Sequence, residues 1–413
     1  MKLSEELKWR GFINQTTYQD LGVLDENKVT FYHGFDASAD SQTVGNLAGM
    51  MLDRLFMKHG HKGIILAGGA TSLIGDPGGK DAERPLQDEQ TIAANVAKAE
   101  EQLKKVMRGY EYKLVNNLDW TRDMKVIDFL RDYGKHFSMT PLIQRDYIAT
   151  RLGEGGAGIS YAEFSYTVLQ GMDYLHLFEE YGATLQLGGS DQWGNCLSGV
   201  ELIRKTKGAE AHVITLPLII NKATGKKFGK TEEGAVWLDP AKTTPFQFYQ
   251  FWLNTEDDAV EEYLKIFTEL DREQISEIMQ KFWDDRASRS AQRILAREVT
   301  KLVHTEDVIK EIEAATGAAY GSAELTPESI PLLKSQLPVG QAQTGQTSVV
   351  EALVSTGLAT SNGDARRLIS DGGVYINGQR VTEVDGVFNS SNIIHGHAML
   401  QRGKTKAIIQ ITE

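Results

Sequence analysis

The run Gly188-Gly189-Ser190-Asp191-Gln192-Trp193-Gly194-Asn195 follows an apolar, β-like segment, Ala183–Leu187, and precedes a helix-like one, Leu197–Lys207. Two glycines at a strand end let a ligand approach the backbone closely. Asp191 and Gln192 then offer a carboxylate and an amide at the carboxyl end of a strand, where open α/β sheets bind ligands. One helix and one strand later stands Lys227-Phe228-Gly229-Lys230-Thr231, two ammonium groups around a glycine hinge. Upstream, Tyr166, Gln170 and Asp173 fall at i, i+4 and i+7 of a helical pattern and share one face. That face is a polar stripe flanked by Phe164, Leu169, Tyr174 and Leu175. The glycine-rich segment Gly68–Lys80, carrying Asp76, matches neither the Walker nor the dinucleotide fingerprint.

The elements that must position these groups alternate in kind. Val29–Tyr32 is β-rich, and Gly45–His59 reads as an apolar helix. Gly63–Ala67 is a second strand, Glu89–Met107 an amphipathic helix and Tyr112–Val115 a third strand. Leu185–Leu187 and His212–Ile220 supply a fourth and a fifth. Such alternation predicts an α/β, Rossmann-like, doubly wound parallel sheet over residues 1–232, interrupted by a helical insert at about 123–181. From Pro245 helical periodicity dominates: Phe246–Thr255, Asp258–Thr268, Asp271–Trp283, Ser288–His304 and Asp307–Ala315. Residues 233–320 are therefore expected to form an α-helical domain. The stretch 321–347, rich in Pro, Gln, Gly and Ser, reads as a linker. A small α+β unit is expected over 348–413, with helices at Val349–Thr356 and Asp364–Ser370 and a hairpin turning at Asn377-Gly378.

The 413 residues suffice for two or three domains, and 41% hydrophobic with 24% charged residues is ordinary for a folded protein. A net charge of −12 argues against a protein that coats nucleic acid non-specifically, while leaving room for local basic patches. The single Cys196 excludes an intrachain disulfide, and no Cys/His cluster has zinc spacing, so no metal site is expected. The first ten residues have a charged amphipathic pattern without an apolar h-region, and no apolar run approaches membrane-spanning length. A cytoplasmic location is the default expectation.

Taken together and in this order, these motifs resemble those of class I aminoacyl-tRNA synthetases in their bacterial tyrosyl form. Lys227–Thr231 stands where that family carries K-M-S-K-S, and the resemblance extends over essentially the whole chain. It implies activation of L-tyrosine by ATP to tyrosyl-adenylate and pyrophosphate, then transfer to the 3′ end of tRNA(Tyr). It implies that Tyr32 and Asp173 hold the substrate phenol, that Asp76, Tyr166 and Gln170 hold its ammonium, and that Gln192 faces its carboxylate. Gly34, Asp36, Gly45, Asn46, Gly189 and Asp191 would lie along ATP, with Lys80, Arg84, Lys227, Lys230 and Thr231 near the departing pyrophosphate. Mg2+ would accompany the ATP phosphates, a homodimer is implied, and 348–413 resembles a small ribosomal-protein-type RNA-binding fold. The nucleophile would be the substrate's own carboxylate, already ionised at pH 7, so positioning and charge stabilisation would carry catalysis.

One signature departs from the family. The first helix opens Thr43-Val44-Gly45-Asn46, with threonine in place of the first signature histidine. A threonine hydroxyl can donate one hydrogen bond but cannot carry charge; His33 is the neighbouring candidate to compensate. An alternative is thus a catalytically weakened paralogue acting as an RNA-binding or regulatory protein. For tRNA, Arg286, Arg289, Arg293, Arg297 and Lys301 recur every three or four residues and would form one basic stripe, with Arg366 and Arg367 on a helix of the C-terminal unit.

Overall fold

The computed structural model describes residues 1–413 except 77–85, 221–227, 232–233, 321–323, 404 and 413. Six strands form the larger sheet: β1 (Gln15–Thr16), β2 (Thr30–Phe35), β3 (Lys62–Ala67), β4 (Tyr112–Asn116), β5 (Ala183–Gly189) and β6 (His212–Leu216). Their spatial order is β1-β6-β5-β2-β3-β4. All neighbours run parallel except β1, which pairs antiparallel with β6. The inner strand β3 is a continuous apolar run, with Ile64-Ile65-Leu66 buried, as expected where helices cover both faces of a parallel sheet. From β2 the chain winds outward through β3 and β4, then returns to β5 on the other side of β2. That reversal opens a crevice at the carboxyl ends of β2 and β5, the usual ligand site of such sheets.

Helix Val44–Lys58 follows β2 and buries every residue except Gly45, Asn46 and Lys58. Helix Tyr161–Tyr181 starts at a Ser160/Glu163 capping box and stops at Gly182, whose φ of 66° suits glycine. The region between β4 and β5 is helical, and Tyr161–Tyr181 packs along β5 as part of the sheet's cover. β6 is shorter than expected. It ends before Pro217, which has no N–H for a ladder, and Leu218 and Ile220 stay exposed. A two-stranded ladder, β7 (Lys230–Thr231) with β8 (Gly234–Ala235), follows.

Two compact units emerge: residues 1–244 with 250–303, and residues 245–249 with 304–413. The expected separate helical domain at 233–320 is corrected accordingly. Helix Val260–Phe267 buries Val260, Tyr263, Leu264, Ile266 and Phe267 and packs on helices Val44–Lys58 and Leu3–Arg10. The buried Arg10 adds three bonds, to the carbonyls of Lys265, Thr268 and Leu270. Apolar burial thus merges 250–303 with the sheet unit.

In the second unit, β9 (Val339–Gln343), β10 (Val374–Ile376), β11 (Gln379–Arg380), β12 (His397–Arg402) and β13 (Thr405–Thr412) form a sheet ordered β11-β10-β12-β13-β9. Asn377 and Gly378 turn the β10–β11 hairpin with φ of 47° and 79°, as the Asn-Gly pair predicts. Leu353, Phe388, Leu400 and Ile409 are fully buried in its core. The linker expected at 321–347 is corrected. Helix Ser329–Gln336 buries Ile330 and Leu333, and β9 pairs in parallel with β13. Its alternation rests on a glycine and an alanine, Gly340 and Ala342, as inward residues, too small to register as a hydrophobic pattern.

Candidate active site

A cavity of about 460 Å³ occupies the crevice. It brings together Tyr32, Gly34, Asp36, Thr43, Gly45, Asn46, Asp76, Tyr166, Gln170, Asp173, Gly189, Asp191 and Gln192. Lys80, Arg84 and Lys227 lie outside the described residues, and Lys230 and Thr231 are described as backbone only.

Side chains alternate along β2, which divides the cavity in two. Tyr32 faces helix Tyr161–Tyr181, its ring edge-on to Tyr174 at 4.9 Å. On that face the Tyr32 hydroxyl is buried without a hydrogen-bond partner among the described residues. Burial, reinforced by Cys196, Tyr174 and Asp173, pushes its ionisation well above the usual phenol range, so it remains a neutral O–H. Asp173 is 2% exposed and accepts from Asn117 Nδ2 and Trp120 Nε1, each at 2.9 Å. Burial raises its carboxyl to about 7 in spite of those two donors. A hydroxyl donor near an acceptor, both buried, is a complementary pair for a ligand hydroxyl.

A cation fits the next part of this face. Gln170 presents a buried, unpartnered Oε1, while its Nε2 lies 3.9 Å from Cys196 Sγ. Asp76 accepts from Gln192 Nε2 at 2.6 Å, which fixes carboxylate and amide against each other. The Tyr166 hydroxyl is raised well above its usual range, first by burial and then by the carboxylates of Asp76, Asp36 and Asp173. A carboxylate, an amide oxygen and a phenol oxygen are three acceptors suited to an ammonium group.

The other half is formed by the start of helix Val44–Lys58. The Thr43 N–H and Oγ1 both donate to Asn46 Oδ1, at 3.0 and 2.8 Å. Thr43 is therefore the helix cap, with its hydroxyl proton already committed. Asp36 accepts from the Ser38 N–H and from Ser72 Oγ at 2.8 and 2.9 Å. At Gly189 a Cβ would lie 2.7 Å from Asp191 Oδ1, so glycine is what lets Asp191 fold over the strand end. The lysine-bearing segment is anchored beside the helix start. Phe228 packs on Phe251, Trp252, Tyr263 and Phe267 with ring centroids 4.6–5.5 Å apart. Gly229 has φ 81°, and a Cβ there would come within 2.4 Å of Val44 Cγ2. The helix N-terminus and the Lys230 backbone thus lie close together, where an anion would be stabilised.

Sequence reasoning missed Asn117, Trp120, Gln186 and Cys196. Gln186 on β5 lines the cavity with a second buried, unpartnered amide oxygen. None of the four belongs to a motif, and each gains its place only through pairing of distant segments. Trp120, which follows the end of β4, offered the one signal, an amphipathic aromatic near a strand terminus.

The basic stripe is only partly formed. The helix begins at Ser290, and Arg289 precedes it with φ 52°, donating to the carbonyls of Leu253 and Thr255 at 2.8 Å each. Arg289 is thus a structural clamp. Arg286 pairs with Asp257, whereas Arg293 is exposed, its Nε bonded to the Ser288 carbonyl. Arg297 is half-buried on the same helix. In the second unit Arg366 and Arg367 are exposed on helix Asn362–Ser370, with Arg367 bridged to Asp364 at 2.9 Å.

Comparison with known proteins agrees with this geometry. The family described as tRNA synthetases class I (W and Y) matches residues 24–321, and a tyrosine–tRNA ligase C-terminal domain matches residues 330–409. The chain is 44% identical over 416 residues to a tyrosine–tRNA ligase of Bacillus caldotenax, covering 98% of both. The same identity and coverage hold for the ligase of Geobacillus stearothermophilus. Among solved structures, the C-terminally truncated mitochondrial tyrosyl-tRNA synthetase of Aspergillus nidulans is 33% identical, with a TM-score of 0.67 over 75% of this chain and 92% of that one. With a parallel sheet open at its switch point and matches spanning nearly the whole chain, this protein belongs to the class I tRNA synthetases of the tryptophan and tyrosine group.

Proposed function

We propose that this chain activates L-tyrosine with ATP and transfers the tyrosyl group to the 3′ end of tRNA(Tyr). The carrying observation is the buried, unpartnered Tyr32 hydroxyl next to the buried Asp173 carboxylate. A substrate phenol accepts from the first and donates to the second. Asp76, Tyr166 and Gln170 take the ammonium, and Gln192 orients the carboxylate. A carboxylate oxygen attacks the α-phosphorus of ATP; the new O–P bond forms as the bond to pyrophosphate breaks. No proton moves in this step, so no general base is needed. Gly34, Asp36, Gly45, Asn46, Gly189 and Asp191 hold the nucleotide. Lys80, Arg84, Lys227, Lys230 and Thr231 receive the charge that develops on pyrophosphate. Mg2+ belongs with the ATP phosphates as their counterion; among the described residues no group of three His, Cys, Asp or Glu is arranged to hold a metal.

In the second step a ribose hydroxyl of the terminal adenosine attacks the activated carbonyl; the bond from that carbon to the phosphate oxygen breaks, and AMP leaves with its phosphate taking up the hydroxyl proton. Arg293, Arg297, Arg366 and Arg367 are the proposed phosphate contacts for tRNA, and no helix among the described residues is long and apolar enough to cross a membrane. A cytoplasmic setting accords with tRNA as substrate. The homodimer is supported by a run of apolar side chains left exposed between 126 and 161: Val126, Ile127, Leu130, Met139, Leu152 and Tyr161. Thr43 does not favour the weakened-paralogue reading, because the cap and Asn46 form an intact helix start. Tyrosine-dependent ATP–pyrophosphate exchange, followed by charging of tRNA(Tyr), tests the proposal; no exchange with tyrosine would overturn it.

A further inference from the structure

On the face of β2 opposite Tyr32, the ring of His33 enters the nucleotide half of the cavity. Phe31, two residues earlier, packs on Phe56 of helix Val44–Lys58 at 5.4 Å, so His33 projects towards that same helix. Two features of the helix, Gly49 and Asp53, fit the ring. Gly49 sits mid-helix, where glycine is among the poorest helix formers. A Cβ there would lie 2.5 Å from His33 Cε1 and 3.3 Å from Nε2, so the glycine is a notch cut for the imidazole. One turn further, Asp53 is 2% exposed and its two oxygens lie 2.9 and 3.0 Å from His33 Nδ1.

A carboxylate can only accept here, so Nδ1 donates, and the ring has a fixed orientation and tautomer. Nε2 has no hydrogen bond to protein among the described residues, and the His33 side chain keeps 19% exposure towards the cavity. Burial pulls the imidazole down, but the charge and hydrogen bond of Asp53 outweigh it and hold it above its ordinary value, favouring the form in which Nε2 also carries a proton. The Thr43 hydroxyl, in contrast, is already spent on Asn46.

We propose that His33 is a catalytic residue of the nucleotide half, donating from Nε2 to an oxygen of bound ATP, with Asp53 as its positioning residue and Gly49 as the notch that seats the ring. This rests on the reading that the cavity binds ATP beside tyrosine. It also gives the site an imidazole on a different element from the helix start, where threonine replaces it.

The test uses the full-length protein and four variants: His33→Asn, His33→Gln, Asp53→Asn and Gly49→Ala. Asparagine reproduces a donor near Nδ1 and removes Nε2, whereas glutamine reaches the Nε2 position. Pyrophosphate exchange is measured with ATP and tyrosine varied separately, and ATP binding by calorimetry without tyrosine. Loss of one charge-assisted bond corresponds to about 10–100-fold. We expect His33→Asn, Asp53→Asn and Gly49→Ala to lose about that factor in kcat/KM for ATP, with the KM for tyrosine within about twofold. His33→Gln should recover most of the loss. Gly49→Ala crowds a buried ring and should lower the melting temperature as well, so recovery in His33→Gln, which a misfolded site would not show, is what separates loss of the Nε2 contact from misfolding. Unchanged ATP parameters in His33→Asn, no recovery in His33→Gln, or equal losses for tyrosine and ATP would overturn the proposal. A parent protein that binds ATP but does not exchange with tyrosine would count against the tyrosine reading, and the calorimetric comparison of the same variants would still decide the role of His33.

Discussion

At the residue scale the site is organised around polar atoms that the protein leaves unsatisfied. Buried, unpartnered donors and acceptors cost on the order of 1–3 kcal/mol each, and Tyr32, Gln170 and Gln186 each carry one. A ligand with a hydroxyl at one end and an ammonium at the other removes much of that penalty. Asp173 makes the cost visible through pH. Its carboxyl is raised from 3.8 to about 7 by burial, so the folded state prefers it protonated. Ionisation therefore costs stability progressively as pH rises from the unfolded value near 3.8 to about 7, by an amount on the order of a few kcal/mol. In the absence of ligand, the stability of the parent should fall relative to Asp173→Asn across that window, read from melts at matched pH. Parallel curves would contradict the assignment. Tyr32→Phe should relax discrimination against phenylalanine mildly, and Asp173→Asn should damage tyrosine use far more, because a charge-assisted bond is lost. Paired exchange assays with both amino acids check this, and equal selectivity in the two variants would contradict it. Tyr166, Gln170 and Asp173 were legible because helical spacing places them on one face. Asn117 and Trp120, which hold Asp173 across 56 and 53 residues of sequence, were not, since only sheet pairing brings them near.

At the element scale the parallel sheet was legible because its strands carry short apolar or β-rich runs alternating with helical segments, whereas β1 and β9 are short or inwardly small and gave no pattern. The lysine segment was recognised as a motif, but its anchorage was not. Phe228 enters an aromatic cluster built from residues more than twenty positions downstream, and Gly229 approaches Val44 too closely for any side chain. Gly229→Ala combines a strained positive φ with a clash at 2.4 Å and should displace the neighbouring Lys230 backbone from the helix start. We expect tyrosyl-adenylate formation to slow by at least about tenfold, with tyrosine affinity little changed. Lys230→Ala should slow the same step by about 10²–10³-fold if it acts as a preorganised charge donor. Pre-steady-state adenylate formation reads both, and a defect confined to tyrosine binding would contradict the role given to this segment.

At the scale of the whole molecule, an acidic chain of net charge −12 must bind a polyanion through selected patches. The sequence pointed to a stripe of evenly spaced arginines, but spacing could not tell which of them serve the fold. Arg289 spends its guanidinium on two backbone carbonyls, so Arg289→Ala should lower the melting temperature and weaken exchange and charging together. Arg293→Ala and Arg366→Ala should instead raise the KM for tRNA, flatten the salt dependence by about one unit per contact, and leave exchange intact. Charging assays across a salt series separate the two classes, and identical behaviour of Arg289 and Arg293 would contradict the division. The central claim is that the cavity selects a phenol hydroxyl. Its most direct test is the ratio of kcat/KM for tyrosine and phenylalanine in ATP–pyrophosphate exchange by the unmodified protein. A site that must hydrogen-bond a hydroxyl rejects the analogue lacking it by about 10⁴–10⁵, a range for which tyrosyl enzymes are themselves the reference case. The account predicts a ratio of that order, and comparable activation of the two amino acids would contradict it.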